Sequence, residues 1–175
     1  MTTAVIACGA IATHISNLAS QEGFDINIYP LPPLLHNHPE EIAVQVESKI
    51  IELKEKFEKI AVAYADCGTY GALDKVIQKY GLARLGGDHC YDVFAGSAKV
   101  NHLTSTGTYL LTDYLVKSFH RSVVVELGLD RHPELMDDYF KNYSKVVWLA
   151  QNPNEELTLA AQAVADFLKL PLEVD

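Results

Sequence analysis

Short apolar runs alternate along this chain with stretches whose apolar residues recur every three or four positions. Residues 4–8, 25–29 and 60–65 are runs of strand length. Runs of this kind suit strands buried on both faces of a parallel sheet. Between the first two, Ile11, Ile15, Leu18 and Ala19 lie on one helical face, and Gly23 is placed to end that helix. Pro30-Leu31-Pro32-Pro33 stops the second strand and keeps the chain extended. A longer stripe follows at Ile42, Val46, Ile50 and Leu53, reaching to about Phe57. Asn37 or His38 would cap that helix, Pro39 suits its first turn, and Glu40 and Glu41 favour the positive end of its dipole. Further on, the pattern predicts a helix over 73–80, a short strand at 83–85 and a helix over 91–95. Residues 107–113 lead into an amphipathic helix through Phe119. A strand at 123–127, a helix opening at 129–134, a strand at 145–150, a helix over 154–168 and an edge strand at 172–174 complete the chain.

Strands alternating with helices imply an α/β fold. The expectation is a single three-layer domain over 1–175 with a mainly parallel, Rossmann-like sheet. Such sheets bind ligands beyond the carboxyl ends of their strands. Cys8, Cys67 and Cys90 each follow an expected strand end, in Cys8-Gly9, Cys67-Gly68 and Gly87-Asp88-His89-Cys90. Topology alone therefore brings three distant thiols to one edge of the sheet.

Composition narrows the function classes. The chain of 175 residues is 49% hydrophobic and 21% charged, enough for a real core and ordinary for a soluble protein. A net charge of −9 without clustered Lys and Arg argues against nucleic acid. No apolar run approaches the roughly 20 residues of a membrane helix. The N-terminal apolar run has no basic segment before it, so no signal peptide is expected and the location should be cytoplasmic. Thiols stay reduced there, and three of them make a poor disulfide framework. Grouped cytosolic cysteines are more often metal-binding or catalytic.

The three cysteines could be small buried hydrophobes. Their place in turns beside Gly9, Gly68 and Gly87 favours a shared site instead, because glycine lets the backbone come close to a ligand. Three thiolates suit zinc or an iron–sulfur cluster. The fourth position would be His89, His36, His38, water or a substrate. Asp66 and Asp92 could steady a ligating group or cap helices. Gly107-Thr108, if it opens a helix, offers backbone N–H groups to an anion. The rival chemistry is thiol catalysis, in which Cys67 or Cys90 at a helix N-terminus is a low-pKa nucleophile. Phosphate loops have the wrong spacing.

Several segments carry a resemblance. Ala7-Cys8-Gly9-Ala10, Leu35-His36-Asn37 with Pro39, Tyr64 with Asp66-Cys67-Gly68-Thr69, Gly87 with His89-Cys90-Tyr91, Gly107-Thr108 with Leu111-Thr112-Asp113, and residues 127–135 occur in this order. Together they resemble domain of unknown function 1638. The family pattern has Gly where this chain has Ala65, and Pro where it has Thr106. The substitution at Ala65 implies that no positive φ is needed there. Members often run on beyond the point where this chain stops. The resemblance implies no established activity. It implies an association with corrinoid-dependent methyl transfer, and it makes Cys8, Cys67, Cys90 and His89 motif residues.

The expectation is a metal- or cluster-binding protein serving corrinoid or one-carbon methyl metabolism, in the manner of a methyltransferase-like enzyme. Cys8, Cys67, Cys90 and His89 would hold the metal, with His36, Asp66, Gly68, Asp92 and Thr108 lining the cofactor or substrate. Partners would be a small-molecule ligand, a methyltransferase or a corrinoid protein, with homo-oligomer formation left open. Two alternatives stand beside it: a non-catalytic accessory protein binding a cofactor or a partner methyltransferase, and a cysteine-nucleophile enzyme.

Overall fold

A computed structural model describes residues 2–175. The chain forms two compact units, Met1–Val93 and Phe94–Asp175. Each has its own three-stranded sheet, and every strand pair is parallel. The α/β class and the parallel pairing are as the sequence pattern predicts, with the strands shared between two sheets.

The first unit is built on β1 (Thr3–Cys8), flanked by β2 (Ile26–Leu31) and β3 (Ile60–Ala63) in the order β2-β1-β3. The sequence Thr-Ala-Val-Ile-Ala-Cys has no polar residue after Thr3, which suits a central strand covered on both faces. Ala4, Ile6 and Ala7 are fully buried. β2 carries Pro30, which a sheet tolerates on an edge strand because it cannot donate to a neighbour. α1 (Ala12–Glu22) ends at Gly23, whose left-handed backbone donates to Ala19 O. α2 (Pro39–Leu53) opens with Pro39, Glu40 and Glu41 and buries Ile42, Val46, Ile50 and Leu53 along one stripe. α3 (Ala72–Tyr80) buries Leu73 and Ile77, and Lys79 and Tyr80 both donate to Glu47 on α2.

The strand expected at 83–85 is reduced to a single parallel bridge, Val62 to Arg84. The chain still runs on beside β3, with Asp66 N–H donating to Gly87 O at 3.1 Å and Cys67 N–H to Asp88 O at 2.7 Å. Arg84 pins this segment. It grips Asp74 with two nitrogens, at 2.6 and 3.1 Å, and donates to Leu85 O and Gly87 O. α4 (Cys90–Ala95) follows directly.

The second unit departs from expectation in three places. α5 (Ser97–Ser105) has only Val100 buried, so no apolar stripe marks it in the sequence. Thr108–Thr112 is a strand, β4, and α6 begins only at Asp113 (Asp113–Phe119). The strand expected at 123–127 is helical: a π-helix, His120–Val125, continues α6 and buries Val123 and Val124. No Gly or Pro separates it from α6, so packing overrides the β-propensity of three valines. β5 (Lys145–Leu149) is central, between β4 and β6 (Leu172–Val174). α7 (Met136–Phe140) and α8 (Glu155–Leu168) supply Phe140, Leu157, Ala161 and Leu168 to its core. Asp113 organises the strand ends by accepting from Trp148 Nε1 and from the Gln151 and Asn152 N–H groups.

The turn after β1 is tightly confined. A Cβ at Gly9 would lie 2.6 Å from Leu31 O and 2.8 Å from Pro33 Cδ. Gly9→Ala should therefore cost about 1–3 kcal/mol of overpacking strain, read as a lowered urea midpoint. An unchanged midpoint would show that the 31–33 segment yields freely.

Candidate functional site at the strand ends of the first unit

The last residue of β1 is Cys8. Its side chain is 1% exposed, and its Sγ stands 3.8 Å from His36 Nε2. His36 lies on the 3-10 turn Pro33–Asn37. Its Nδ1 is 2.8 Å from Pro33 O. A carbonyl only accepts, so Nδ1 carries the proton, and in the neutral ring Nε2 keeps its lone pair toward the sulfur. Histidine ligands of metals are oriented in this way, and so are histidine bases.

Cys67 is reached through a strained turn. Asp66 takes three donors on its carboxylate: Thr69 Oγ1 at 2.7 Å, Tyr70 N–H at 3.0 Å and Gly71 N–H at 3.0 Å. Within that loop Cys67 has φ 52° and Gly68 φ 83°. A non-glycine residue in the left-handed region costs about 1–3 kcal/mol and is held only where its surroundings over-determine it. Ala65 is not among the positive-φ residues, in agreement with its replacing glycine without penalty. The strain sits two residues later, on the cysteine.

Cys90 begins α4 and is half-buried. Asp92 fixes the loop before it by accepting from the Asp88 and His89 N–H groups at 2.7 and 3.0 Å. Gly87 makes this possible: with φ 96°, its Cβ would fall 2.5 Å from Asp92 Cβ.

The three thiols are electrostatic neighbours. Burial is the largest influence on each, and it pushes Cys8, Cys67 and Cys90 up to about 12. Charge on Cys67 raises Cys8, charge on Cys90 raises Cys67, and charge on Cys8 raises Cys90. All three are free cysteines. At neutral pH they are thiols, not thiolates. Asp66 behaves differently. Desolvation is the largest influence and opposes ionisation, but the hydrogen bonds from Thr69, Gly71 and Tyr70 outweigh it and lower the pKa below the usual value.

The expected single coordination shell is not found. Among the described residues, no three His, Cys, Asp or Glu side chains are gathered to hold a metal ion. The imidazole beside Cys8 is that of His36. His89 is exposed, with its N–H on Asp92, and His38 is exposed, with Nδ1 3.6 Å from Glu40. Asp66 and Asp92 hold backbone in turns. Gly68 gives the turn its second left-handed residue, and a Cβ there would touch Pro39 Cβ at 3.4 Å. Thr108 lies in the second unit, buried on β4 with its Oγ1 3.4 Å from Thr106 Oγ1. Gly107-Thr108 opens a strand, so the helix N-terminus expected there does not exist.

Sequence spacing misses one residue. Tyr64, just past β3, is fully buried, and its hydroxyl has no hydrogen-bond partner among the described residues. A tyrosine closing a strand reads as ordinary core, and only the missing partner sets it apart.

Two outcomes follow. Asp66→Ala leaves three donors without their acceptor and releases Cys67 from its strained backbone. It should cost about 1–3 kcal/mol and raise the alkylation rate of Cys67, read by mass spectrometry; an unaltered rate would mean the turn holds without the carboxylate. In the protein without metal, the unfolded thiols ionise near their ordinary 9.0 and the folded ones near about 12. The unfolded state loses protons first, so stability present below pH 9 is lost as pH rises through that window. Urea midpoints in alkali should fall less steeply for Cys8→Ala than for the parent chain; parallel curves would contradict the buried-thiol assignment.

No helix of the described residues is long and apolar enough to cross a membrane. No curated protein and no solved structure matches the chain. A family model described as "Protein of unknown function (DUF1638)" matches residues 30–175. The matched stretch contains His36, Tyr64, Asp66, Cys67 and Cys90, while Cys8 precedes it. On that match, the chain belongs to the DUF1638 family.

Proposed function

We propose that the first unit is a thiol-based metal site, with Cys8, Cys67 and Cys90 as sulfur ligands and His36 Nε2 as the fourth donor. The observation that carries this reading is the Cys8–His36 pair. A tetrahedral zinc with Zn–S near 2.3 Å and Zn–N near 2.05 Å places such a pair about 3.6 Å apart. The observed separation is 3.8 Å. The imidazole is already turned, its distal nitrogen anchored to Pro33 O.

Metal binding also accounts for why the thiols are neighbours without forming a shell. Neutral thiols lack the bridging cation that would hold three sulfurs in one shell. A soft divalent ion displaces their protons to solvent, and rotation about the Cα–Cβ bonds then closes the set. Three sulfurs and one imidazole suit zinc; a four-iron cluster is the second candidate by donor chemistry. Four protein donors close a tetrahedral zinc, so an ion held by Cys8, Cys67, Cys90 and His36 would supply Lewis acidity to a substrate thiol only where that thiol takes the place of His36, and would otherwise be structural. Service in corrinoid or one-carbon methyl metabolism, with a corrinoid protein or methyltransferase as partner, is the context the family resemblance favours.

A second reading has one observation in its favour. Cys8, His36 and Pro33 O are ordered as nucleophile, base and orienting group. The 1% exposure of Cys8 weighs against it, since a buried thiol is inert.

Protein purified without oxygen should carry near-stoichiometric zinc or iron, measured by elemental analysis. His36→Ala should lower metal affinity about 10-fold or more, and His89→Ala should leave it unchanged. Metal-free protein that takes up neither ion would overturn the metal reading. Rapid alkylation of Cys8 alone, near neutral pH, would establish the nucleophile instead.

A further inference from the structure

β2 is the outer strand of the first sheet, and no strand lies beyond it among the described residues. Thr3 N–H donates to Asp25 O and Gly9 N–H to Leu31 O. In the evenly spaced ladder of a parallel pair, β1 therefore uses Asn27 and Tyr29 between them. Ile26, Ile28 and Pro30 turn their backbone groups outward. Pro30 has no N–H to give, and the Ile26 N–H is taken by Phe24 O at 3.2 Å. Ile28 is left with both an N–H and a C=O on the open edge. Edge strands that stay solitary are usually short, covered or charged. β6, at one edge of the second sheet, is three residues long and carries Glu173, and β4 at the other edge is nearly all buried. β2 has six residues, and none is charged.

The helix beside β2 repeats the pattern. Ser16, Asn17, Leu18 and Ser20 of α1 are exposed, and only Ala19 is buried. A solvated helix face normally carries charge. Over residues 1–39 the only charged side chains are Glu22 and Asp25, in a chain that is 21% charged. Burial explains that gap on β1, but not on α1 or β2. An open groove of about 480 Å³ runs between them, lined by Ser16, Ser20, Phe24, Ile28 and Tyr29 among others. Phe24 is 66% exposed. Depletion of charge around an exposed aromatic is the composition of an interface core.

We infer that this face binds a second copy of the chain, two β2 strands meeting antiparallel across a two-fold axis at Ile28. Opposed residues of an antiparallel hydrogen-bonded pair exchange both N–H···O bonds, so Ile28 and its copy satisfy each other. Pro30 keeps the new ladder short. The joined sheet lays α1 and Phe24 next to their own copies over the axis, and an isologous contact of this kind closes on itself. Charge selects the occupant. Two chains of net charge −9 repel each other, and the surface they can share is the one free of like charge. A basic partner would seek the acidic surface elsewhere, since this face has almost no charge with which to hold it. The inference uses none of the four proposed metal donors and is independent of that reading.

Sedimentation equilibrium of the full chain, with reductant present so that the thiols do not cross-link, tests this directly. The parent protein should pass from monomer to dimer as its concentration rises. Phe24→Glu sets like charges across the axis and should raise the dimer dissociation constant about 10-fold or more. Leu159→Glu, at a residue of α8 that is also 66% exposed, should leave it unchanged. Hydrogen exchange of the unsubstituted protein gives a reading that needs no variant to fold: the Ile28 amide should exchange more slowly in the dimer than in dilute monomer. A chain that stays monomeric at every concentration, or a dimer that Phe24→Glu leaves intact, overturns the proposal. So does an Ile28 amide whose exchange is the same at both concentrations. Equal weakening by Leu159→Glu would place the contact elsewhere and overturn it as well. None of these results bears on the metal site.

Discussion

The carboxylate of Asp66 holds together the part of the molecule that could do chemistry. It takes the Thr69 hydroxyl and two backbone N–H groups. That grip lets Cys67 stand in a left-handed conformation immediately before a left-handed Gly68. With the turn closed, Cys67 N–H reaches Asp88 O and draws the following segment alongside β3. Cys90 follows at the end of that segment, within electrostatic reach of Cys8 and Cys67. Arg84 and Asp92 repeat the device on the far side of the loop, each binding backbone rather than ligand. The charged residues nearest the cysteines thus set geometry, and the sulfurs are left with burial as their dominant environment.

Burial gives the site its chemical character. Thiols pushed up to about 12 are poor nucleophiles at neutral pH and poor ligands until a metal removes their protons. Metal uptake at such a site releases protons and is sensitive to pH. The imidazole of His36 is oriented in advance by the contact of its Nδ1 with Pro33 O. On the proposed metal reading, His36 is the donor already oriented, and the thiols would close around the ion.

Much of this was legible in the sequence. Continuous apolar runs marked both central strands, and their length and alternation with helices gave the α/β class. Strand ends followed by glycine placed Cys8 and Cys67 correctly, because a parallel sheet sends its carboxyl ends to one edge. Cys90 was harder, since its strand survives only as one bridge at Arg84. The second unit misled where local preference and packing disagree. Three valines read as a strand, yet they continue a helix that nothing interrupts. The histidine next to Cys90 in sequence, His89, is exposed. His36, 28 residues from Cys8, folds back onto it through a short 3-10 turn, a proximity that spacing along the chain does not show. Tyr64 left no signal at all, because only a packed structure shows that a hydroxyl lacks a partner.

The most direct measurement is X-ray absorption at the zinc edge of the metal-loaded protein, which counts ligands by element and distance. The account predicts three sulfur scatterers at about 2.3 Å and one nitrogen at about 2.0–2.1 Å, the nitrogen lost on substitution of His36. A shell made only of nitrogen and oxygen, or a sulfur count unaffected by removing Cys8, would contradict it.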